Sequence, residues 1–319
     1  MKNKKKKRKI DIKTILLIIT MVFSCVNLYA IKKYLYNSND VRYDNKNTSL
    51  LTSATDVQTA IDDLYKAAAT YDVTAGNSGF HNSIFRGKDV TEYLTSEYSL
   101  YNRISDGTFT DLYVGDYIVA NGITWRIAGF DIYYGRGDSN SENKARTTHH
   151  AVIVPDTNLT KAQMNSTNTT TGGYIGSTMF KTTLTSVLST YITPVFGSHV
   201  LTYRTFLTNT ITTTLYNRLG KNTGASSNWT AYTRSLDLMT ENQVFGSIVA
   251  SSSMYDTGID NIQFPLFRLK PEYVNKIGGW YWLRGVVSSY WFTIVGDSGS
   301  SYYAAASYTG GVRPYFYID

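Results

Sequence analysis

Four histidines, one cysteine and a crowd of aromatic and small polar residues near the C-terminus are the side chains from which this chain of 319 residues could draw chemistry. His149 and His150 are adjacent, and on a strand their side chains would leave from opposite faces, so the pair could not grip one metal ion together. No cysteine or carboxylate stands at zinc-ligand spacing near them, or near His81 and His199, and neither a metal nor another cofactor is expected. Arg136-Gly137-Asp138 spells a tripeptide read by adhesion receptors, but chance loops produce it often. Asn158, Asn165, Asn168 and Asn228 each head an acceptor triplet for glycosylation, which reads better as exposed loops rich in Asn and Thr. A nucleophile elbow, a phosphate loop and a nucleotide-binding glycine fingerprint are missing. The expectation is that this is no enzyme.

The informative palette is at the end of the chain. Tyr290, Trp291, Tyr302, Tyr303 and Tyr308 alternate with Ser289, Asp297, Ser298, Ser300, Ser301 and Thr309. A core strand would want Val, Ile and Leu, and a solvated one Lys and Glu. Tyrosine with serine is instead the composition of binding loops, because the phenol offers a large amphipathic contact with few rotors and the serine adapts its hydrogen bonds. A tyrosine-rich sheet without a ligand is the competing reading, since the whole chain holds 27 tyrosines.

Short strands must position those side chains. Trp280–Arg284, Tyr290–Val295, Ser301–Ala306 and Val312–Ile318 are strand-like runs parted by the turn signals Gly296–Gly299 and Thr309–Gly311. A chain that ends on a strand usually has it tied into a sheet. Upstream, the two β-rich runs of 112–130 flank Asn121-Gly122, the pair that tolerates a type I′ turn, and predict a hairpin. His149–Val154 predicts a further strand before Pro155. Helices are expected over 178–191, ending before Pro194, and between Leu236 and Phe245.

The N-terminal part differs in kind. The formal charge is +7, but Met1 to Lys13 holds eight basic residues and one acid, which leaves 23 of each sign beyond it. A neutral body lacks the counterion-release drive for nucleic acid, so no nucleic-acid partner is expected. Residues 15–31 carry no charge, near the lower limit of about 17 residues for a bilayer-spanning helix, and the positive-inside rule keeps the basic end in the cytoplasm. Residues 1–13 therefore read as a basic cytoplasmic tail and 14–33 as a signal anchor, with lipidation at Cys25 or ordinary cleavage as the alternatives. The expected localisation is the cell membrane, single-pass, with the C-terminal domain extracellular. Residues 34–107 read as a stalk with a short helix over 55–69, whose apolar stripe could pair with copies of itself in a homo-oligomer.

Trp280-Tyr281-Trp282-Leu283-Arg284, Phe292–Val295 and Gly311-Val312-Arg313-Pro314 with its apolar ending resemble the C-terminal signature of C-type-lectin-like bacterial proteins. Among these the chain looks most like the variable proteins of diversity-generating retroelements, in which the terminal segment is rewritten at selected codons on a fixed scaffold. The resemblance implies an α+β, C-type-lectin-like domain over 108–319 with small antiparallel sheets and two helices, preceded by the membrane helix and stalk. It makes Trp280, Trp282, Leu283, Arg284, Gly311, Val312, Arg313 and Pro314 scaffold. The eleven residues from Ser289 to Thr309 named above become the displayed surface, with a protein or glycan on another cell or phage as the implied ligand. The acidic and amide pairs of calcium-dependent lectins are absent, and so are the active-site cysteines of formylglycine-generating enzymes. The implied role is that of a receptor or adhesin; a structural, tail-fibre-like subunit and a wall-acting hydrolase are the alternatives.

Overall fold

A computed structural model of the chain describes residues 78–208, 229–251, 262–276 and 278–319, together with Thr20. The chain divides into two compact units, Met1–Tyr71 and Asp72–Asp319. The basic tail, the segment 14–33 and the helix expected over 55–69 lie outside the described residues. Among the described residues no helix is long and apolar enough to cross a membrane. That finding runs against the single-pass, extracellular placement expected from the sequence, and the placement is withdrawn.

The second unit is α+β, built of small antiparallel sheets and few helices. Its strands are β1 (Tyr117–Ala120), β2 (Ile123–Phe130), β3 (Ala151–Pro155), β4 (Thr160–Ala162), β5 (Tyr203–Thr208), β6 (Trp229–Arg234), β7 (Asp237–Leu238), β8 (Tyr281–Val286), β9 (Trp291–Val295), β10 (Ser301–Ala305), β11 (Gly310–Val312) and β12 (Pro314–Ile318). One sheet runs β1-β2-β3-β12-β7, a second runs β10-β9-β8-β11-β4, and β5 with β6 forms a ribbon. Among the described strands the pairings are antiparallel except that of β11 with β8, where Gly311 lies opposite Tyr281.

Local sequence explains most of these elements. Asn121 and Gly122 both take positive φ, 52° and 74°, which is the backbone a type I′ turn requires between β1 and β2. Helical turns run from Met179–Thr183 through Leu184–Val187 and Leu188–Ile192 to Thr193–Phe196, and two of the four are π-wound. The run passes the expected stop at Pro194. That proline falls at the start of the last α-wound segment, directly after the π-wound Leu188–Ile192. The short helix Glu241–Phe245 carries a capping box between Thr240 and Gln243 and ends on Gly246 at φ 77°.

One expectation changes on packing grounds, and the terminal strand is tied into a sheet as expected. Residues 78–107 are more than a stalk, since Val90, Leu100 and Ile104 are fully buried in the core and Asp89 bridges to Tyr117. The terminal strand β12 lies between β3 and β7 and is buried at every position, so the end of the chain is the middle of a sheet.

The chain crosses from the second sheet to the first at Arg313, between β11 and β12. That guanidinium is fully buried and donates through Nε to the Pro155 carbonyl at 2.9 Å, and through Nη1 to the carbonyls of Tyr273 and Val274 at 3.0 and 3.1 Å. A second buried arginine ties the same two sheets. Arg284 of β8 meets Asp237 of β7 at 3.3 Å and donates to the Tyr232 hydroxyl at 2.8 Å. Asp237 also accepts from the hydroxyls of Tyr174 and Tyr232, and burial with the adjacent carboxylate pushes the Tyr174 phenol well above 10, keeping it a donor.

Both members of the Arg284–Asp237 pair are sealed from water, so removing one strands the other as an uncompensated charge. Asp237→Ala is expected to lower unfolding free energy by about 3–5 kcal/mol in denaturant titrations. The paired change Asp237→Leu with Arg284→Met should cost markedly less. Equal costs for the two variants would refute the charge-pairing account.

Candidate functional site

β8, β9 and β10 form an antiparallel meander that ends at the open edge of the second sheet. Trp291 lies opposite Ala305, Thr293 opposite Tyr303 and Ile294 opposite Tyr302. The strands are closed at one end by the turn in which Gly296 N–H donates to Ser300 and Gly299 N–H donates to Gly296, both at 2.8 Å. Gly299 has φ 79°, a backbone that glycine takes without strain. At the other end Ala306 N–H donates to Tyr290 at 2.9 Å.

This meander brings the aromatic candidates together and turns them outward. Tyr290 and Tyr302 are each 52% exposed and Tyr308 is 59% exposed. Tyr303 and Trp291 are half-buried between them. The rings of Tyr302 and Tyr303 stack at 4.6 Å with 13° between planes, and Tyr303 meets Trp291 at 5.2 Å. Around them lies an open groove of about 700 Å³, whose floor includes Ile294, Ala304 and Ala305 and whose rim includes Asp297, Ser298 and Ser300.

The polar candidates divide. Ser298 and Ser300 are exposed and their hydroxyls pair at 3.0 Å, and Thr309 is exposed. Asp297 is exposed, yet one carboxylate oxygen accepts the Trp280 backbone N–H at 2.9 Å, so it also braces the start of β8. Ser301 is a correction: it is half-buried and donates its hydroxyl to Glu241, a buried carboxylate that also accepts from the backbone N–H groups of Ala250 and Ser251 at 2.9 and 2.8 Å. Its role is to hold β10 to the loop after Glu241–Phe245. Ser289 is a second correction, because its hydroxyl oxygen is buried and its carbonyl accepts from Thr170 N–H at 3.0 Å.

The residues assigned to scaffold are interior with one exception. Trp282, Leu283, Arg284, Gly311, Val312, Arg313 and Pro314 are buried. Trp280 is half-buried and lines the groove, edge-on to Trp282 at 5.1 Å. The signal that could have found it is its spacing of two residues from Trp282, which puts both on one strand face. Gly310 makes room for its indole, since a Cβ there would come within 2.0 Å of the Trp280 ring. The floor residues Ile294, Ala304 and Ala305 were missed, because small and apolar residues in a strand carry no mark distinguishing floor from core.

The other candidate chemistry resolves into structure. His150 is buried and accepts from Tyr133 N–H through Nε2 at 3.1 Å, which leaves Nδ1–H to donate to the Thr148 carbonyl at 2.9 Å, and burial lowers its pKa to about 4. His149 pairs with Asp131 at 2.7 Å and stacks on Tyr134. His81 bonds the Leu112 carbonyl and His199 bonds Asp319. Asp138 of the Arg-Gly-Asp tripeptide is held by Arg204 at 2.8 Å. Among the described residues no group of three or more His, Cys, Asp or Glu is placed to hold a metal ion.

No family model, curated protein or solved structure matches the chain.

Two expectations follow from this geometry. Burial raises the Asp131 carboxyl to about 6, against an ordinary value near 4, so its ionised form costs stability above pH 6 and the cost fades as pH falls towards 4. His150 acts in the opposite sense, contributing stability above pH 6.5 that is lost as pH falls to 4. Asp131→Asn should therefore steepen the acid loss of unfolding free energy between pH 6.5 and 4, by about 2–3 kcal/mol in total. An unchanged slope would count against it. Gly310→Ala should displace the Trp280 indole, lower stability by about 1–3 kcal/mol and alter tryptophan emission, whereas unaltered emission would place the ring elsewhere.

Proposed function

We propose that the chain is a ligand-binding protein with a C-type-lectin-like domain, related in kind to the variable proteins of diversity-generating retroelements. Its role would be receptor-like or adhesin-like, with recognition through the groove at the open edge of β10 and no bond-breaking step. The observation that carries this reading is the division of labour within the last forty or so residues. Buried arginines and tryptophans lock the strands, while Tyr290, Tyr302 and Tyr308 stand in solvent beside half-buried Tyr303 and Trp291.

Exposed aromatic rings need a reason in a protein with a well-filled interior. Tyrosine in solvent leaves apolar area wet, and a partner that covers it gains roughly 25 cal/mol per Å² of apolar surface removed from water. The rings are also partly preordered by their mutual stacking, which reduces the entropy lost when a ligand arrests them. Substitution at these positions would alter the displayed surface and spare the core, as a rewritable segment on a fixed scaffold requires. The ligand is expected to be a protein or glycan on another cell or on a phage.

The test compares retention of intact cells and phage particles on the immobilised full-length chain with retention on Tyr290→Ala/Tyr302→Ala/Tyr303→Ala. Capture should fall to background while the melting temperature stays within a few degrees, because a surface change away from core and caps alters stability by about 0.5 kcal/mol or less. Collapse of the melting temperature would make the rings structural, and undiminished capture by the variant would remove the groove from recognition.

A further inference from the structure

Resting on the reading of this groove as the ligand surface, we infer that its ligand is a neutral polysaccharide, bound without a metal ion by stacking of sugar rings on the tyrosine and tryptophan faces. The first reason is charge. Asp297 is the one carboxylate among the lining residues, no Lys, Arg or His stands with it, and one of its oxygens is already engaged by the Trp280 N–H. An anionic polymer would find no cation there, and a cationic one would find a single, partly used acid. A peptide could stack on the rings too, but it brings backbone amides and charged side chains for which this lining offers few complements.

The second reason is shape and polarity together. A pyranose has one face of C–H groups carrying slight positive charge, ringed by hydroxyls. The face of an aromatic ring is the negative pole of its quadrupole, so the two attract in parallel contact while apolar area leaves water. Tyr302 and Tyr308 stand exposed at the groove, one face of Tyr302 being taken by Tyr303, and Trp280 and Trp291 are half-buried beside them.

The rim supplies the matching hydroxyl chemistry. Ser298 and Ser300 hold their oxygens 3.0 Å apart, close to the separation of neighbouring hydroxyls on a sugar ring. The bond between them leaves a donor and spare lone pairs, and both protons rotate to suit a partner that likewise donates and accepts. The groove, about 700 Å³ and open to solvent, admits a chain running through it and is larger than a single sugar ring needs.

The experiment is affinity electrophoresis of the full-length chain through gels containing soluble neutral polymers of glucose, mannose or galactose, with polygalacturonate as the charged comparator, each with and without a chelator. At least one neutral polymer should retard the protein and quench its tryptophan emission, equally with and without chelator, and polygalacturonate should not. Tyr302→Ala should weaken the effect by about tenfold, the loss of one aromatic contact, with Tyr302→Phe close to wild type. Absence of retardation by every neutral polymer, dependence on metal, or indifference to both Tyr302→Ala and Tyr308→Ala would overturn the inference. Failure here while the triple tyrosine variant still loses cell or phage capture would indicate a protein ligand and leave the binding function standing. Failure of both assays would remove the binding function as well.

Discussion

The buried pair of Arg284 and Asp237 is the constraint from which the rest of the domain follows. One member lies on β8 of the second sheet and the other on β7 of the first, and neither touches water. Removing two charges from solvent is costly, and their attraction offsets the cost only when the remaining lone pairs and protons are also satisfied. Tyr174 and Tyr232 serve the carboxylate, and Tyr232 serves the guanidinium. These groups meet only when the two sheets face each other, so the pair selects an arrangement more than it adds stability.

Arg313 acts on the same joint by different means. Its described partners are neutral oxygens, the carbonyls of Pro155, Tyr273 and Val274 and the hydroxyl of Tyr281, with the Phe267 and Tyr281 rings 5.6 and 5.2 Å away. A delocalised guanidinium is the cation best suited to such a setting, because it is weakly hydrated and its fork of donors reaches several carbonyls at once. The residue stands where the backbone leaves one sheet for the other. The polymer can turn there only if the crossing itself is held.

With the joint held from inside, β9 and β10 gain freedom of composition. They hang from β8 through backbone hydrogen bonds, which are indifferent to side-chain identity, and Phe292, Thr293 and Val295 of β9 are fully buried. The outer rings contribute little to the core, and so the edge can be dressed in tyrosine and serine. Edge strands ordinarily risk pairing with other chains. On β10 the residues that would meet such a chain include the exposed Tyr302.

Much of this was legible from the residues in order. The Asn121-Gly122 hairpin, the strands of the last forty or so residues and the outward tyrosines follow from turn chemistry, from period-two alternation and from a composition unsuited to a core. The sequence also marked Arg284 and Arg313 as framework through their place in a signature. What it could not say is what neutralises them, because Asp237 lies 47 residues from Arg284 and its partnership exists only once the two sheets face each other. The same holds for Ser301, whose neighbours in sequence suggest display but whose hydroxyl is claimed by Glu241, 60 residues away. Trp280 moved from framework to groove, and residues 78–107 from stalk to core, for a common reason: local pattern sets which face a side chain leaves from, and only the packing of distant segments decides what that face meets.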